Sequence, residues 1–534
     1  MDGGFVGQIR DRNQGVRMDL FKSRVWAVGC CLVFSFSHAA DWHQASGPNG
    51  DFSTTEEAPV KWSVALGQNI GWKLTLPETG QSTPVVSGCK LFFTTLKPVE
   101  ADSSLGKDII AWCCEVATGE VLWKREVLGK HPLRLSGCFS DSSAPAPVCD
   151  GERVIFLNAS GTVACFDLNG TLLWSKPYLS VGRCMPFLHN GRYVFTRQVY
   201  PPDPNGNFPH KYKDSPKEMW TQLQALDVET GEIVWTSECG VNMGMATMPQ
   251  TREDGLAVAV VGRGGGHGPP EKPHGLSMVN LENGKTLWTL PLEGFMATMS
   301  YRLQGGAVHI FHDTEHLSVD EKTGKVLRRS SITEDVSVLR WIDGKRESRK
   351  ETLPVSKKKR MITQGSNLLV GRHHYFRSYV RPWLGRVDVE TGKVEYLELP
   401  LQVSRKPGEK EEWIWFQTVK GKKAPGLTKQ GIPNDMRNSR GFQVVGDKRS
   451  HGSGWGHVAS PQMTVAGKHL YIPVMNGTVF VIDLEAPQLE ESAIVAINDL
   501  GPAGQSFTRA SLSFAGGKVF AHTIRELICI GGVK

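Results

Sequence analysis

The side chains best equipped for chemistry in this chain are cationic and aromatic, and they gather in a few long polar segments. Gly262 to Gly275 (GRGGGHGPPEKPHG) holds Arg263, His267 and His274, and Gly371 to Gly385 (GRHHYFRSYVRPWLG) holds Arg372, His373, His374, Arg377, Arg381 and Trp383. The stretch beginning at Pro400 adds Trp413, Trp415, His451, Trp455 and His457. Guanidinium and imidazole groups mixed with indoles suit an anionic or sugar-like ligand, through charge-assisted hydrogen bonds and stacking. The candidate ligand-binding set is therefore Arg263, His267, Arg372, His373, Trp383, Trp413, Trp415, His451, Trp455 and His457. The competing reading is of solvated loops whose aromatics pack on the rim of the fold. No catalytic residue is assigned.

Other motifs carry less. His309, His312 and His316 have H-x2-H-x3-H spacing. Across a strand and its turn such side chains are expected to diverge, and no acidic or Cys partner completes a tetrahedral set, so no metal is expected. GRGGGHG lacks the G-K-[ST] ending and the following helix of a phosphate-binding loop. There is no C-x-x-C-H for covalent haem and no nucleophile elbow. The basic runs 357–360 and 420–423 read as solvent-facing.

The 534 residues carry 61 Lys+Arg against 54 Asp+Glu, a formal charge of +7, too small a surplus for a dedicated nucleic-acid binder. Gly 58 and Pro 30 are above ordinary usage while the apolar fraction stays at 40%, which describes a turn-rich chain with ample core. Collagen, long coiled coil, disorder and a polytopic membrane protein are excluded. Near the start, Lys22 and Arg24 precede an apolar run from Val25 to Phe36 and small residues at Ser37 and Ala39. That order is expected of an export signal cut before Ala40, with residues 1–17 an upstream start-site extension. The run is too short to span a bilayer, so no transmembrane anchor remains after cleavage. Cys30 lies too close behind Arg24 for a lipobox.

The elements that must position these residues show in a repeat. CCEVATGEVLW, CFDLNGTLLW, ALDVETGEIVW and MVNLENGKTLW end at Trp123, Trp174, Trp235 and Trp288, each four residues after a turn glycine. Weaker copies end at Arg328 and Tyr396, and the copy near Asp483 has lost its glycine. Apolar alternation on both sides of a T-G or N-G turn is the hairpin signature. A second glycine-centred hairpin precedes each: VVSGCKLFF, PVCDGERVIF, FLHNGRYVF, TREDGLAVAV, RLQGGAVHIF, ITQGSNLLV, MTVAGKHLYI and SFAGGKVFA. With strands A and B in the second kind and C and D in the first, each unit is a four-stranded meander, and radial stacking of such units makes an all-β, eight-bladed β-propeller. The last unit ends at ELICIGGVK without a D strand, and NIGWKLTLP around Trp72 is expected to supply it. Seven blades is the alternative, because ITQGSNLLV around Gly365 is the weakest copy. The domain plan is 1–39 extension and signal, 40–69 N-terminal extension, and 70–534 propeller. Recurring Trp in D strands points to packing between blades.

These phrases resemble the PQQ-like (pyrroloquinoline-quinone) propeller repeat, and DWHQASGPNGDFS, Asp41 to Ser53, resembles the opening of a group of exported bacterial PQQ-like proteins. The resemblance implies a periplasmic or extracellular propeller and leaves activity open, since quinoprotein alcohol dehydrogenases and non-catalytic scaffolds share the repeat. In the dehydrogenases a vicinal disulfide covers the cofactor before an A strand. Here Cys113-Cys114 lies within a C strand, where neighbouring side chains face opposite ways, so buried free thiols are expected. Long connections fall between B and C at Thr95–Lys107, Tyr200–Gln222, Gly262–Gly275 and Gly371–Gly385, and between D and A at Ser330–Lys359 and Pro400–Trp455. In a meander all of these share one face, which is the expected binding side. The reading is a monomeric, exported, non-catalytic binding module with no cofactor, its partner a protein, glycan or anionic small molecule. The alternatives are a PQQ- and calcium-dependent alcohol or sugar dehydrogenase and an envelope scaffold like the outer-membrane protein assembly lipoprotein.

Overall fold

The computed structural model describes residue 1 and residues 41–534 apart from 100–102, 104, 135–142, 181–183, 207–215, 243–247, 264–271, 294–300, 356–365, 379–380, 420–426, 428–430, 436–454, 456–460 and 533–534. The export signal expected within residues 1–39 lies outside the described residues. No helix among those described is long and apolar enough to cross a membrane.

Eight antiparallel meanders form an eight-bladed β-propeller. In chain order, blades 1 to 7 occupy residues 85–127, 148–176, 187–236, 250–291, 302–331, 367–398 and 464–499. Blade 8 takes strands A to C from Ser513–Ala515, Lys518–His522 and Glu526–Ile530 and strand D from Ile70–Thr75. That last strand pairs antiparallel with Glu526–Ile530, with Trp72 opposite Cys529, so the ring is closed by the strand the sequence assigned to it.

The blades lock together through the repeat itself. Each turn glycine sits at positive φ, and each tryptophan packs over the turn of the following blade. The indole N–H groups of Trp72, Trp123, Trp174, Trp235 and Trp288 donate to the backbone oxygens of Val116, Leu168, Val228, Leu281 and Glu321. A Cβ on Gly119, Gly170, Gly231, Gly284 or Gly324 would stand 2.6 to 2.9 Å from the docked indole. Glycine is therefore required twice, for φ and for space. Where the motif weakens, the clasp changes. Arg328 takes the Trp position of blade 5 and donates to the oxygens of Val389 and Glu390 in blade 6. Between blades 6 and 7 no indole docks on a glycine; Arg386 instead donates to the oxygens of Ala486 and Pro487.

The channel framed by the A strands holds the N-terminal segment. Trp42 exchanges backbone hydrogen bonds with Val86, the Cys149 amide donates to the His43 oxygen, and the Leu188 amide donates to Gln44 Oε1. Gly50 abuts Pro249, Arg302 pairs with Asp51 at 2.9 Å, and Phe52 shares a core cluster with Met248 and Leu368. Ser53–Thr54 then adds a parallel strand to strand A of blade 7, and the Gly516 amide donates to Glu56 Oε2. One short segment thus contacts blades 1 to 5, 7 and 8 at the A–B-turn end and shares a core cluster with blade 6, with Trp42 and Phe52 fully buried. Only the first half of the expected extension lies there, since Trp62, Ser63 and Ala65 bond to Asn498 and Asp499 on strand D of blade 7.

Two inserted hairpins complete the fold. Val336–Ile342 and Lys345–Glu351 form one, whose first strand pairs parallel with Val394–Glu398 and widens blade 6 to six strands. The long connection Ser330–Lys359 is thus sheet rather than open loop over 336–351. Gln402–Ser404 and Glu412–Ile414 form the other.

Candidate functional site

Blade 6 moves part of the expected site. Gly365 lies outside the described residues, and the A–B turn is made by Gly371 and Arg372, between Asn367–Val370 and His373–Arg377. The segment Gly371–Gly385 is therefore mostly strand, and its B–C connection shrinks to 378–382. Arg372 stands at the end opposite the insertions, in a 2.5 Å ion pair with Asp388 and a 3.2 Å pair with Glu390. His373 begins strand B at that same end. Both residues depart from the expected face, because the register of the weakest repeat was anchored on the wrong glycine.

The remaining described candidates lie at the insertion end. Arg263 closes strand B of blade 4 and is held by Ser277 Oγ, Thr289 Oγ1 and the Lys272 oxygen at 3.1 to 3.3 Å. Trp383 opens strand C of blade 6, buried between the guanidinium groups of Arg340 and Arg381 at 4.8 and 4.5 Å from its ring. Trp415 stacks on Trp341 at 4.4 Å with planes 5° apart, which joins the two inserted hairpins. Arg346 lies over both rings, at 5.8 and 5.0 Å, and its Nη1 donates to the Glu398 oxygen. Trp413 meets Trp415 edge-on and remains 40% exposed, beside exposed Phe416. Trp455 is buried against Phe480, and its indole donates to the Leu401 oxygen. His267, His451 and His457 lie outside the described residues. The structure thus brings Trp413, Trp415 and Trp455 to the junction of blades 6 and 7, places Trp383 in the core that blade 6 shares with blade 5, and leaves Arg263 apart on blade 4.

Sequence reasoning underweighted Arg377. It ends strand B of blade 6, is fully buried, and lies 5.7 Å from the Trp455 ring. Burial lowers its pKa to about 9.

The histidine trio behaves differently from expectation. His309 and His316 face each other with rings 5.7 Å apart, and His316 Nε2 lies 3.1 Å from His374 Nδ1 on the next blade. His374 Nε2 in turn meets Asn367 Oδ1 at 3.0 Å. Only His312 diverges, toward the Glu293 oxygen. Burial, with the neighbouring rings and Arg328, lowers His316 to about 3; burial likewise lowers His309, and His374 well below the usual value. These are neutral, hydrogen-bonded core histidines.

Among the described residues no three His, Cys, Asp or Glu side chains converge to hold a metal ion. Cys113 and Cys114 are free thiols on opposite faces of their strand, one in the core shared with blade 2 and the other in the core shared with blade 8. Burial pushes both up to about 12, which keeps them protonated.

Residues 52–186 match the PQQ-like family described by the outer membrane protein assembly factor BamB. Solved structures with a similar course of chain include BamB from Moraxella catarrhalis, at 12% identity, TM-score 0.35, and coverage of 71% of this chain and 93% of that one. Quinohemoprotein alcohol dehydrogenase from Comamonas testosteroni gives 11% identity, TM-score 0.49, and coverage of 93% and 81%. The computationally designed Ika8 protein gives 12%, 0.43, and 85% and 96%. No curated protein sequence matches the chain. The blade count rests on the strand pairings themselves.

Proposed function

We propose that this PQQ-like eight-bladed propeller is an exported, non-catalytic binding module, and that its ligand enters at the insertion end over blades 6 and 7. The observation that carries this reading is an asymmetry between the two ends of the channel. Residues 41–54 occupy the end bearing the short A–B turns. Both inserted hairpins meet at the other end through Trp341 and Trp415, at the junction of blades 6 and 7. Exposed Trp413 and Phe416 on those hairpins offer apolar and stacking surface.

Two experiments test it. Amide hydrogen exchange during titration with a panel of acidic oligosaccharides and small organic acids should show protection in 378–382 and 402–414. Protection confined to the turns at 87–90 and 190–192 would reverse the assignment of faces. Reconstitution with PQQ and Ca2+, followed by dye reduction with primary alcohols and aldoses, should give no turnover. Stoichiometric quinone binding with turnover would replace the binding module with a dehydrogenase.

A further inference from the structure

Arg377 is a cation without an anion. It is fully buried, its Nη1 donates to the Pro473 oxygen of blade 7 at 3.0 Å, and among the described residues both Nε and Nη2 lack any hydrogen-bond partner. Those two donors are not a random pair. They lie on one edge of the guanidinium, parallel and side by side, which is the fork that grips two oxygens of a carboxylate or phosphate. The same chain shows the fork in use: Arg386 directs Nε and Nη2 at Glu395 Oε2, at 3.0 and 2.5 Å. At Arg377 the third donor is anchored and the fork is empty.

Further unfilled groups stand beside it. Ser366 lies directly across the ladder, its backbone oxygen accepting the Arg377 amide at 3.1 Å, and Ser378 is the next residue along the chain. Both hydroxyls are fully buried and unpartnered. Buried polar groups are almost always satisfied, and a buried charge left unpaired is costly, so Arg377 and Ser366 facing each other across the ladder, with Ser378 next along the chain, mark a position meant to be filled. Trp455 stands 5.7 Å away as an aromatic wall, and the location is the insertion end of the junction between blades 6 and 7.

We propose that Arg377, with Ser366 and Ser378, binds the two-oxygen anionic group, carboxylate or phosphate, of a ligand entering from the insertion end. The inference deepens the binding-module reading and rests on it. The serine hydroxyls donate to the oxygens that the fork leaves uncovered, and Trp455 excludes water from the guanidinium face.

The test is titration of the full chain with sodium phosphate and with sodium acetate, against sodium chloride at equal ionic strength, reading the 15N-Nε signal of Arg377 and the melting temperature. A saturable shift of the Nε signal and a saturable rise in melting temperature are expected for phosphate or acetate and not for chloride. Which of the two saturates at lower concentration identifies the group. Arg377→Gln should weaken the preferred anion by about ten- to a hundredfold, the range of a charge-assisted hydrogen bond. Ser366→Ala, which keeps the arginine in place, should weaken it several-fold, and surface Arg329→Gln should change nothing. An Nε signal indifferent to both anions, or equal responses to chloride, would overturn the site. If the exchange experiment still protected 378–382 and 402–414, the anion site would fall while the binding module stood. Protection confined to the opposite turns, with a saturable Nε response, would refute the face and retain the anion site.

Discussion

Trp72 and Cys529 lie opposite each other in one antiparallel ladder, the first on the earliest strand of the ring and the second on the last. Closure of a propeller in this way removes the two open edges that an incomplete ring would expose. Trp72 also clasps blade 1 through the Val116 oxygen, so one residue belongs to both the seam and the repeat.

Deletion of Ile70 to Leu76 should therefore remove a strand, a clasp and the seam together. Losing several kcal/mol lowers the melting temperature of a chain this long by several degrees, at roughly 1 °C per kcal/mol from an unfolding entropy of about 2.1 cal/mol/K per residue. Differential scanning calorimetry checks this, and an unchanged transition would show that the seam contributes nothing.

The clasp makes a sharper comparison. Gly231 and Gly88 both sit at positive φ, 69° and 56°, but a Cβ on Gly231 would lie 2.7 Å from Trp174 while one on Gly88 meets nothing within 4 Å. Gly88→Ala should cost only the conformational penalty of about 1–2 kcal/mol. Gly231→Ala should add an overpacking cost of about 1–3 kcal/mol. Urea unfolding of the two variants side by side measures the difference, and equal midpoints would refute the clasp.

What the sequence made legible follows from what is local. The Trp and Gly spacing shows itself because five successive junctions, from blade 8 onto blade 1 through blade 4 onto blade 5, use the same two residues. Blade 6 was harder, since both Gly365 and Gly371 stand in a segment with apolar residues on either side, and only pairing with strand C separates them. The inserted strand Lys345–Glu351, KRESRKE, has no apolar alternation because it is a charged sheet edge whose place comes from the hairpin and blade 6. The channel segment DWHQASGPNGDFS has no period at all, because its conformation is set by partners in successive blades. Arg377 could have been found only by asking which basic residue in the set has no acid within reach, a question that needs coordinates.

The channel segment should behave as core. Trp42 is fully buried, packs on Phe514 at 5.5 Å, and its ring lies 2.9 Å from where a Cβ on Gly47 would stand. Trp42→Ala is expected to cost about 3–5 kcal/mol. Exchange protection of the amides that bond to this segment, Val86 and Cys149, should fall with it. Retained protection at both would mean that the segment merely rests at the mouth of the channel.

The buried histidines set an acid limit. His316 has a folded pKa of about 3 and His374 one well below the usual value, both below the unfolded value of about 6.5. The unfolded chain therefore binds more protons as the pH falls, and stability rises with pH across that interval. The neutral pair contributes fully above about pH 6.5, and its contribution is lost progressively as the pH falls toward about 3. His309, Arg328 and Arg302 add like charge around the pair and oppose its protonation. Unfolding free energies between pH 7 and pH 4 should slope upward with pH. His316→Phe removes one titrating group and should flatten the slope while leaving the carboxylate-dependent part intact. A variant with the same slope as the native chain would show that these rings titrate in the folded protein as they do in the unfolded one.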